Sequence, residues 1–294
     1  MSQNKTEVFS IDKRWLRNSF NQSASSYNQV AFLQREVANR LVERLDFMTI
    51  KPDNMLDLGS GTGYCGEKLL ARYPKAQLFS MDIALDMLRF ARSQKSWFSR
   101  WRQKQIYICG DAEALPMQQN SVDMVFSSLA LQWCFNQEAV FQNLYRVLKP
   151  GGLLMFATMG PDTLKELRQS WAAVDENAHV SGFYDMHDIG DTLLRTGFAD
   201  PVMDVEHIQL TYSSVNDLMQ DLKNLGSRNA VRGRNRSLTG KQKFKGMVAA
   251  YENFRNNDHL PASYEIVYGH AWVPEEKRVF TNPSQSFPIP VKAI

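Results

Sequence analysis

Apolar and polar positions alternate between two periods along the first half of the chain. Short apolar runs of strand length fall at residues 55–58, 77–81, 106–109, 122–126 and 153–158, and most of the segments between them repeat their apolar residues at helical spacing. Strands separated by helices predict a parallel sheet covered on both faces, because each crossover lays a helix over the sheet. The turn residues agree. Tyr73-Pro74 closes the helix that starts near Tyr64, and Lys149-Pro150-Gly151-Gly152 turns a helix ending near Leu148 into the next strand. An open parallel sheet binds ligands at the carboxyl ends of its strands, beside the point where strand order reverses. Functional residues are therefore expected directly after each strand.

Composition narrows this picture. The 294 residues, 44% of them hydrophobic, can bury a large core as one domain or as a domain with an appended lobe. No apolar run reaches the roughly 18 residues of a membrane helix, and MSQNKTEVFSIDKRW lacks the apolar stretch of a secretory leader. A globular, cytoplasmic protein without membrane association is expected. Cys65, Cys109 and Cys134 stand too far apart to signal disulfides or a zinc ribbon. The histidines His179, His187, His207, His259 and His270 show no ligand spacing, so no metal is expected. A formal charge of +3 is too small to indicate a nucleic-acid partner.

The stretch MLDLGSGTGYCG satisfies two glycine patterns at once. From Gly61 it reads G-x-G-x-x-G, the dinucleotide fingerprint; from Asp57 it reads D-x-G-x-G-x-G. Gly59, Gly61 and Gly63 fall in the turn after the first strand, where the backbone turns tightly and a ligand approaches without a Cβ in the way. Charge separates the two ligands. A dinucleotide brings a pyrophosphate to the helix N-terminus, which the Asp57 carboxylate would repel. S-adenosylmethionine brings an ammonium and a sulfonium and no phosphate, so Asp57 favours it. The second strand ends in FSMDIALDML, with Asp82 placed to accept from ribose hydroxyls or to cap the helix starting near Ala84. The third is followed by CGDAEALP, with Asp111 placed to accept from an adenine amino group or to remain a solvated turn acid. Three acids after three successive strands suit a cationic cofactor.

MLDLGSGTGY, MDIALDML, GDAEALP, SVDMVFSSLALQW and LYRVLKPGGLLMF, in this order and spacing, resemble the class I S-adenosylmethionine-dependent methyltransferases over roughly residues 29–159. The resemblance implies an α/β, Rossmann-like fold with a seven-stranded, mostly parallel sheet, an antiparallel last strand at 264–272, and helices on both faces. It places Asp57 and the glycine loop at the methionine moiety, Asp82 at the ribose, and Asp111 with Ala112 at the adenine. Ser60, Ile83, Met87 and Ser128 complete the expected cofactor-binding set. A narrower resemblance lies in the flanks, in FNQSASSYNQVAFLQREVANRL, MGPDTLKELRQSW, HVSGFYDMHDIGDTLLRTGFADPVMD, DLKNLGSRNAVRGRNRSLTG and LPASYEIVYGHAW. Together these are similar to the malonyl-acyl-carrier-protein O-methyltransferases of biotin synthesis over residues 17–272. That likeness implies methylation of the free carboxylate of a malonyl thioester, carried by acyl carrier protein or coenzyme A, to its methyl ester.

Such an acceptor is ionised at neutral pH, given ordinary carboxyl values near 4, so no general base is needed. Catalysis then rests on alignment and on exclusion of water, and an arginine fork suits the task of holding a carboxylate. Arg168 in DTLKELRQSW is the candidate, with a solvated ion pair to Glu166 or Asp162 as the alternative. Tyr27 lies in the segment resembling the family's lid, where a phenol could cover the sulfonium and hydrogen-bond the substrate, or simply pack. Gln132 and Trp133 are expected on the acceptor side, though a core tryptophan reads the same way. Arg35 is expected at the cofactor's carboxylate, and His187 near the acceptor or at a helix N-terminus. Lys223, Arg228, Arg232, Arg234, Arg236, Lys241, Lys243 and Lys245 form a run without an intervening acid. Phe244 is the one aromatic among them, which argues against single-stranded nucleic acid. An acidic carrier protein fits better, with Arg232 and Arg234 as its contacts.

The expected organisation is an N-terminal lid and helix over 1–46, a methyltransferase domain over 47–272 with a helical insertion at about 213–256, and a tail over 273–294. Two other functions share these features: a methyltransferase for another small acceptor such as a quinone precursor, and a non-catalytic assembly or RNA-binding module of the same fold. Nothing in the sequence sets the oligomeric state.

Overall fold

The computed structural model describes residues 10–96, 104–232, 234 and 240–277. Its strands are β1 (Asn54–Leu58), β2 (Gln77–Asp82), β3 (Gln105–Cys109), β4 (Val122–Ser128), β5 (Leu148–Met159), β6 (Ala199–Tyr212) and β7 (Leu260–Trp272). They form one sheet in the order β3-β2-β1-β4-β5-β7-β6. The β1 to β5 pairings are parallel, and β7 runs antiparallel to both β5 and β6. The Rossmann-like sheet with its antiparallel last strand is thus as the resemblance implied. Central β1 reads NMLDL and is buried from Met55 onward, as a strand covered on both faces must be. The expected turn at Lys149 to Gly152 is corrected: Leu148 already pairs with Val122, and the ladder resumes at Leu153 opposite Met124 across an irregularity. Gly151, at φ +71°, belongs to this bulge inside the strand.

Helices cover both faces. On one side α3 (Phe32–Glu43), α4 (Tyr64–Arg72), α7 (Lys165–Ala172), α9 (Val215–Asn224) and α10 (Lys241–Glu252) contribute Leu41, Leu69, Trp171, Leu218 and Met247 to a single apolar layer. On the other, α6 (Gln137–Val147) and α8 (Met186–Arg195) contribute Phe141, Leu144, Ile189 and Leu193. Local chemistry sets the helix starts. Asn136 accepts from the Ala139 N–H, Asp185 from that of His187, and Ser214 with Asp217 forms a reciprocal capping box. α5 (Leu85–Gln94) lies against β2 and β3. The edge strand β6 carries Asp204 and Glu206, which pair with Arg44 and Arg40 and fasten α3 to that edge.

The N-terminal segment crosses the ligand-binding end of the sheet. α1 (Lys13–Ser23) packs on α5, with the Asp86 N–H donating to Asn21 Oδ1 at 3.0 Å. Short α2 (Tyr27–Val30) follows. Ile11 forms an antiparallel bridge with Val231, in the loop after α9, and Ser19 Oγ donates to the Gly226 carbonyl at 2.9 Å. α9, this loop and α10 all lie between β6 and β7.

Candidate active site

The carboxyl ends of β1, β2 and β4 open on a cavity lined by Gly59, Asp82 and Ser128, with Phe20 of α1 and Tyr27 of α2 above it. Gly59 sits at φ +73°, and a Cβ there would lie 2.2 Å from the Ala130 Cβ, so only glycine fits. Gly61, at φ +50°, faces open space where its Cβ would be. Its N–H donates to Asp82 Oδ2 at 2.9 Å, while Oδ1 of the same side chain accepts from Ala84 at 2.8 Å. Asp82 therefore closes the turn that leads into α5 and braces the glycine loop at the same time; it is not the cap of α5, whose N-cap is Ala84. Burial pushes the Asp82 carboxyl up despite three backbone donors.

Asp57 is the informative residue. It is 1% exposed, beneath the loop rather than on the cavity wall, and its Oδ2 has no hydrogen-bond partner. Burial first, and the charge of Asp82 second, push its carboxyl up to about 7 against the opposing Gly66 N–H. Ser60 Oγ is buried and unpartnered in the same turn. Orphaned polar atoms of this kind call for a partner. A carboxylate in this position fits an ammonium and does not fit a pyrophosphate.

Ile83, Met87, Ala112 and Asp111 line the cavity. Asp111 Oδ2 is held by Lys13 Nζ of α1 at 2.6 Å, and the same ammonium reaches Glu113 at 2.7 Å. Gly63 caps α4 in the left-handed conformation, behind the cavity wall. Tyr27 packs with Ala84 and Met87. Burial, then Asp82, pushes its phenol up, so at neutral pH it is a donor.

A second, larger cavity of about 1100 Å³ lies beneath α7, α9 and the loop after α9. Leu167, Trp171, Phe183 and Met219 supply apolar wall, and Lys223, Arg228, Arg234 and Lys243 supply cations. Four residues line both cavities: Gln34, Trp133, Met159 and Ser227. The two spaces meet there. Trp133 stands edge-on to Phe20 at 5.6 Å between centroids, and Gln132 is held by the Leu129 carbonyl at 2.7 Å on the cofactor side.

Several expected residues fall elsewhere. Arg168 lines neither cavity; its two terminal nitrogens donate to the Pro161 and Thr163 carbonyls at 2.8 and 3.1 Å. Carbonyls ahead of its own helix lie within reach of a side chain on the second turn, and they hold its fork. His187 is exposed, with Nδ1 2.8 Å from Asp185 Oδ1 at the start of α8, and it lines neither cavity. Arg35 also lines neither. Arg232 is exposed, with Nε donating to the Ile11 carbonyl at 3.3 Å. Arg234 does line the second cavity but is committed to the Val231 carbonyl at 2.9 Å and Asp12 at 3.3 Å, over the Trp15 ring. Arg236 lies outside the described residues. Asp162 of the turn after β5, His207 of β6 and Glu265 of β7 bring ligand-type atoms within 4.8 Å of one another, a grouping that sequence spacing does not reveal. Asp162 is meanwhile paired with Lys165, and Glu265 accepts from the Asp162 N–H.

Comparison with known proteins agrees with this geometry. Residues 56–156 match the methyltransferase domain family. Malonyl-acyl-carrier-protein O-methyltransferase of Gallionella capsiferriformans is 50% identical over 268 residues, covering 90% of this chain and 92% of the relative. The chain belongs to the malonyl-acyl-carrier-protein O-methyltransferase family. Members from Laribacter hongkongensis, 50% identical over 92% of both chains, and Coxiella burnetii, 40% identical over 97% of both, extend the match. Among solved structures, the fold is shared with the YcgJ protein of Bacillus subtilis (TM-score 0.56, 14% identity, 82% of this chain and 99% of that one). It is also shared with phosphoethanolamine N-methyltransferase 2 of Haemonchus contortus, solved with S-adenosyl-L-methionine (0.52, 17%, 86% and 57%). This member of the family is a methyltransferase enzyme, and no helix among its described residues is long and apolar enough to cross a membrane. Sequence reasoning missed Lys13, Gln34, Met159 and Ser227. They lie on elements remote from the glycine loop, and only their convergence on the cavities marks them.

Proposed function

We propose that the chain methylates the free carboxylate of a malonyl thioester to its methyl ester, with acyl carrier protein as the carrier. The observation that carries this reading is the meeting of an acid-floored cavity with a cation-lined one at Trp133, Met159, Gln34 and Ser227. S-adenosylmethionine, when bound, supplies an electrophilic methyl group on a sulfonium. Asp57, buried beneath the glycine loop, would draw its ammonium from behind the cavity wall, with Asp82 at its ribose hydroxyls, Asp111 at its adenine and the glycine loop at the methionine moiety.

The remaining chemistry belongs to the protein. An acceptor carboxylate is already ionised, so the residues have to align it and remove water rather than take a proton. Phe20, Trp133 and Met159 give an apolar collar where the cavities join, in which an anion and a cation that neutralise each other lose hydration. Tyr27, kept protonated, can donate a hydrogen bond there without acting as a base. In this reading the described part of residues 1–46 serves as the lid, and the described part of 213–256 as the acceptor-selecting insertion. Exposed Lys223 lines the second cavity, and exposed Lys241 and Lys245 are sequence neighbours of its lining residues Gly240, Gln242 and Lys243; in this reading they receive an acidic carrier. Lys241 and Lys245 stand in the first turns of α10, where the helix dipole disfavours cations, so helix stability does not account for them.

The deciding experiment incubates the purified protein with S-adenosylmethionine and malonyl carrier protein, with acetyl carrier protein as control, and reads the acyl arm by mass spectrometry. Gain of one methyl group on malonyl alone is expected. No gain, with the cofactor still bound, would discard this acceptor.

A further inference from the structure

Among the described residues, four cations line the acceptor cavity against one acid, Asp175, and that acid is already held by Lys243 at 3.0 Å and His179 at 2.8 Å. The cations are not equivalent. Lys243 is paired with Asp175, and Arg234 is fixed by Asp12 and the Val231 carbonyl. Lys223 is exposed at the rim. Arg228 is half-buried, lines the cavity, and has neither a hydrogen bond nor an ion pair with any described residue. It also directly follows Ser227, one of the residues that line both cavities.

We infer that Arg228 is the residue that holds the acceptor's carboxylate at the junction of the two cavities, the role the sequence suggested for Arg168. This rests on the proposed malonyl acceptor. A partly desolvated guanidinium without a partner is unfavourable, and a carboxylate offers its fork two parallel charge-assisted hydrogen bonds. An arginine fits better than the rim lysine because its planar fork fixes the orientation of the carboxylate as well as its position. The contact also discriminates. An acetyl group brings no charge to Arg228, and a methyl ester has lost the charge that the malonyl group brought. Product is therefore held more weakly than substrate, which favours release.

The test measures binding rather than turnover, by calorimetry with malonyl- and acetyl-coenzyme A in the presence of S-adenosylhomocysteine. The wild-type chain is expected to prefer malonyl by about 10- to 100-fold, the range for hydrogen bonds to a charged group. R228Q should abolish that preference while leaving acetyl affinity and melting temperature unchanged. R228K should keep a reduced preference, and K223Q the full one. Retention of the preference in R228Q, or its loss in K223Q with R228Q unaffected, would overturn the assignment. Failure of the two readings is distinguishable. A chain that methylates malonyl carrier protein but shows no Arg228-dependent preference refutes the arginine alone. One that shows the preference but transfers no methyl group supports the arginine and refutes the proposed reaction.

Discussion

Asp57 illustrates how a single residue can be legible in sequence and still depend on its surroundings for its chemistry. Its place four residues before Gly61 identifies the loop, but the carboxyl value near 7 arises from burial and from Asp82, which the fold brings close. The sign of the consequence follows from the direction. A raised carboxyl value means that the folded chain holds the proton more tightly than the unfolded chain does. The resulting penalty is absent below about pH 4, grows between there and about 7, and is constant above. A cationic ligand binds the ionised form, so affinity for S-adenosylmethionine should rise with pH, at most about tenfold per unit below pH 7, and level off above it. Titration calorimetry from pH 5.5 to 7.5, below the range in which the ligand's own α-amino group loses its charge, checks this. D57N should bind weakly and with a flat profile, and a wild-type affinity that falls with pH would contradict the pairing.

Among the elements, α1 has contacts that reach both cavities. At one end Lys13 holds Asp111 and Glu113 beside the cofactor cavity; Asp12, its N-cap, accepts from Trp15 and pairs with Arg234 of the acceptor cavity. A helix fastened to both sites can couple them. D12A removes a cap, at a cost of about 1 kcal/mol, and the anchor on the acceptor loop together. Expected are a melting temperature lower by a few degrees, faster proteolysis within the first 30 residues, and weaker binding of both ligands. R234Q should act in the same direction, and the D12A/R234Q double variant should be less affected than the sum of the two. Strict additivity would show that the two residues do not act as one anchor. Arg234, expected as a carrier contact, is held in this anchoring contact.

For the whole molecule, the question is how a carrier protein finds the entrance. The formal charge of +3 is small, yet the cations cluster beside one cavity, so a local field rather than net charge would steer an acidic partner. Reversal of Lys241 and Lys245 together should raise KM for malonyl carrier protein about tenfold at low salt, chiefly through slower association. The effect should fade as ionic strength rises and the screening length shortens. Turnover of malonyl-coenzyme A should change far less. Equal losses on both substrates would remove these lysines from docking.

The alternating periods, the glycine loop and the acids after successive strands specify the Rossmann-like fold and the cofactor side, because backbone demands and strand-exit positions are local and leave marks in order along the chain. The acceptor side is different. Arg168 and Arg228 are both arginines in segments that resemble the same family, and their sequence neighbourhoods do not separate them. The tertiary structure does: carbonyls at the start of α7 hold one fork, while the other is left without a partner beside Ser227. Gln34 and Met159 likewise acquire meaning only where α3 and β5 meet at the junction of the cavities. Availability of a charge depends on what surrounds it in space, and residues distant along the chain decide that.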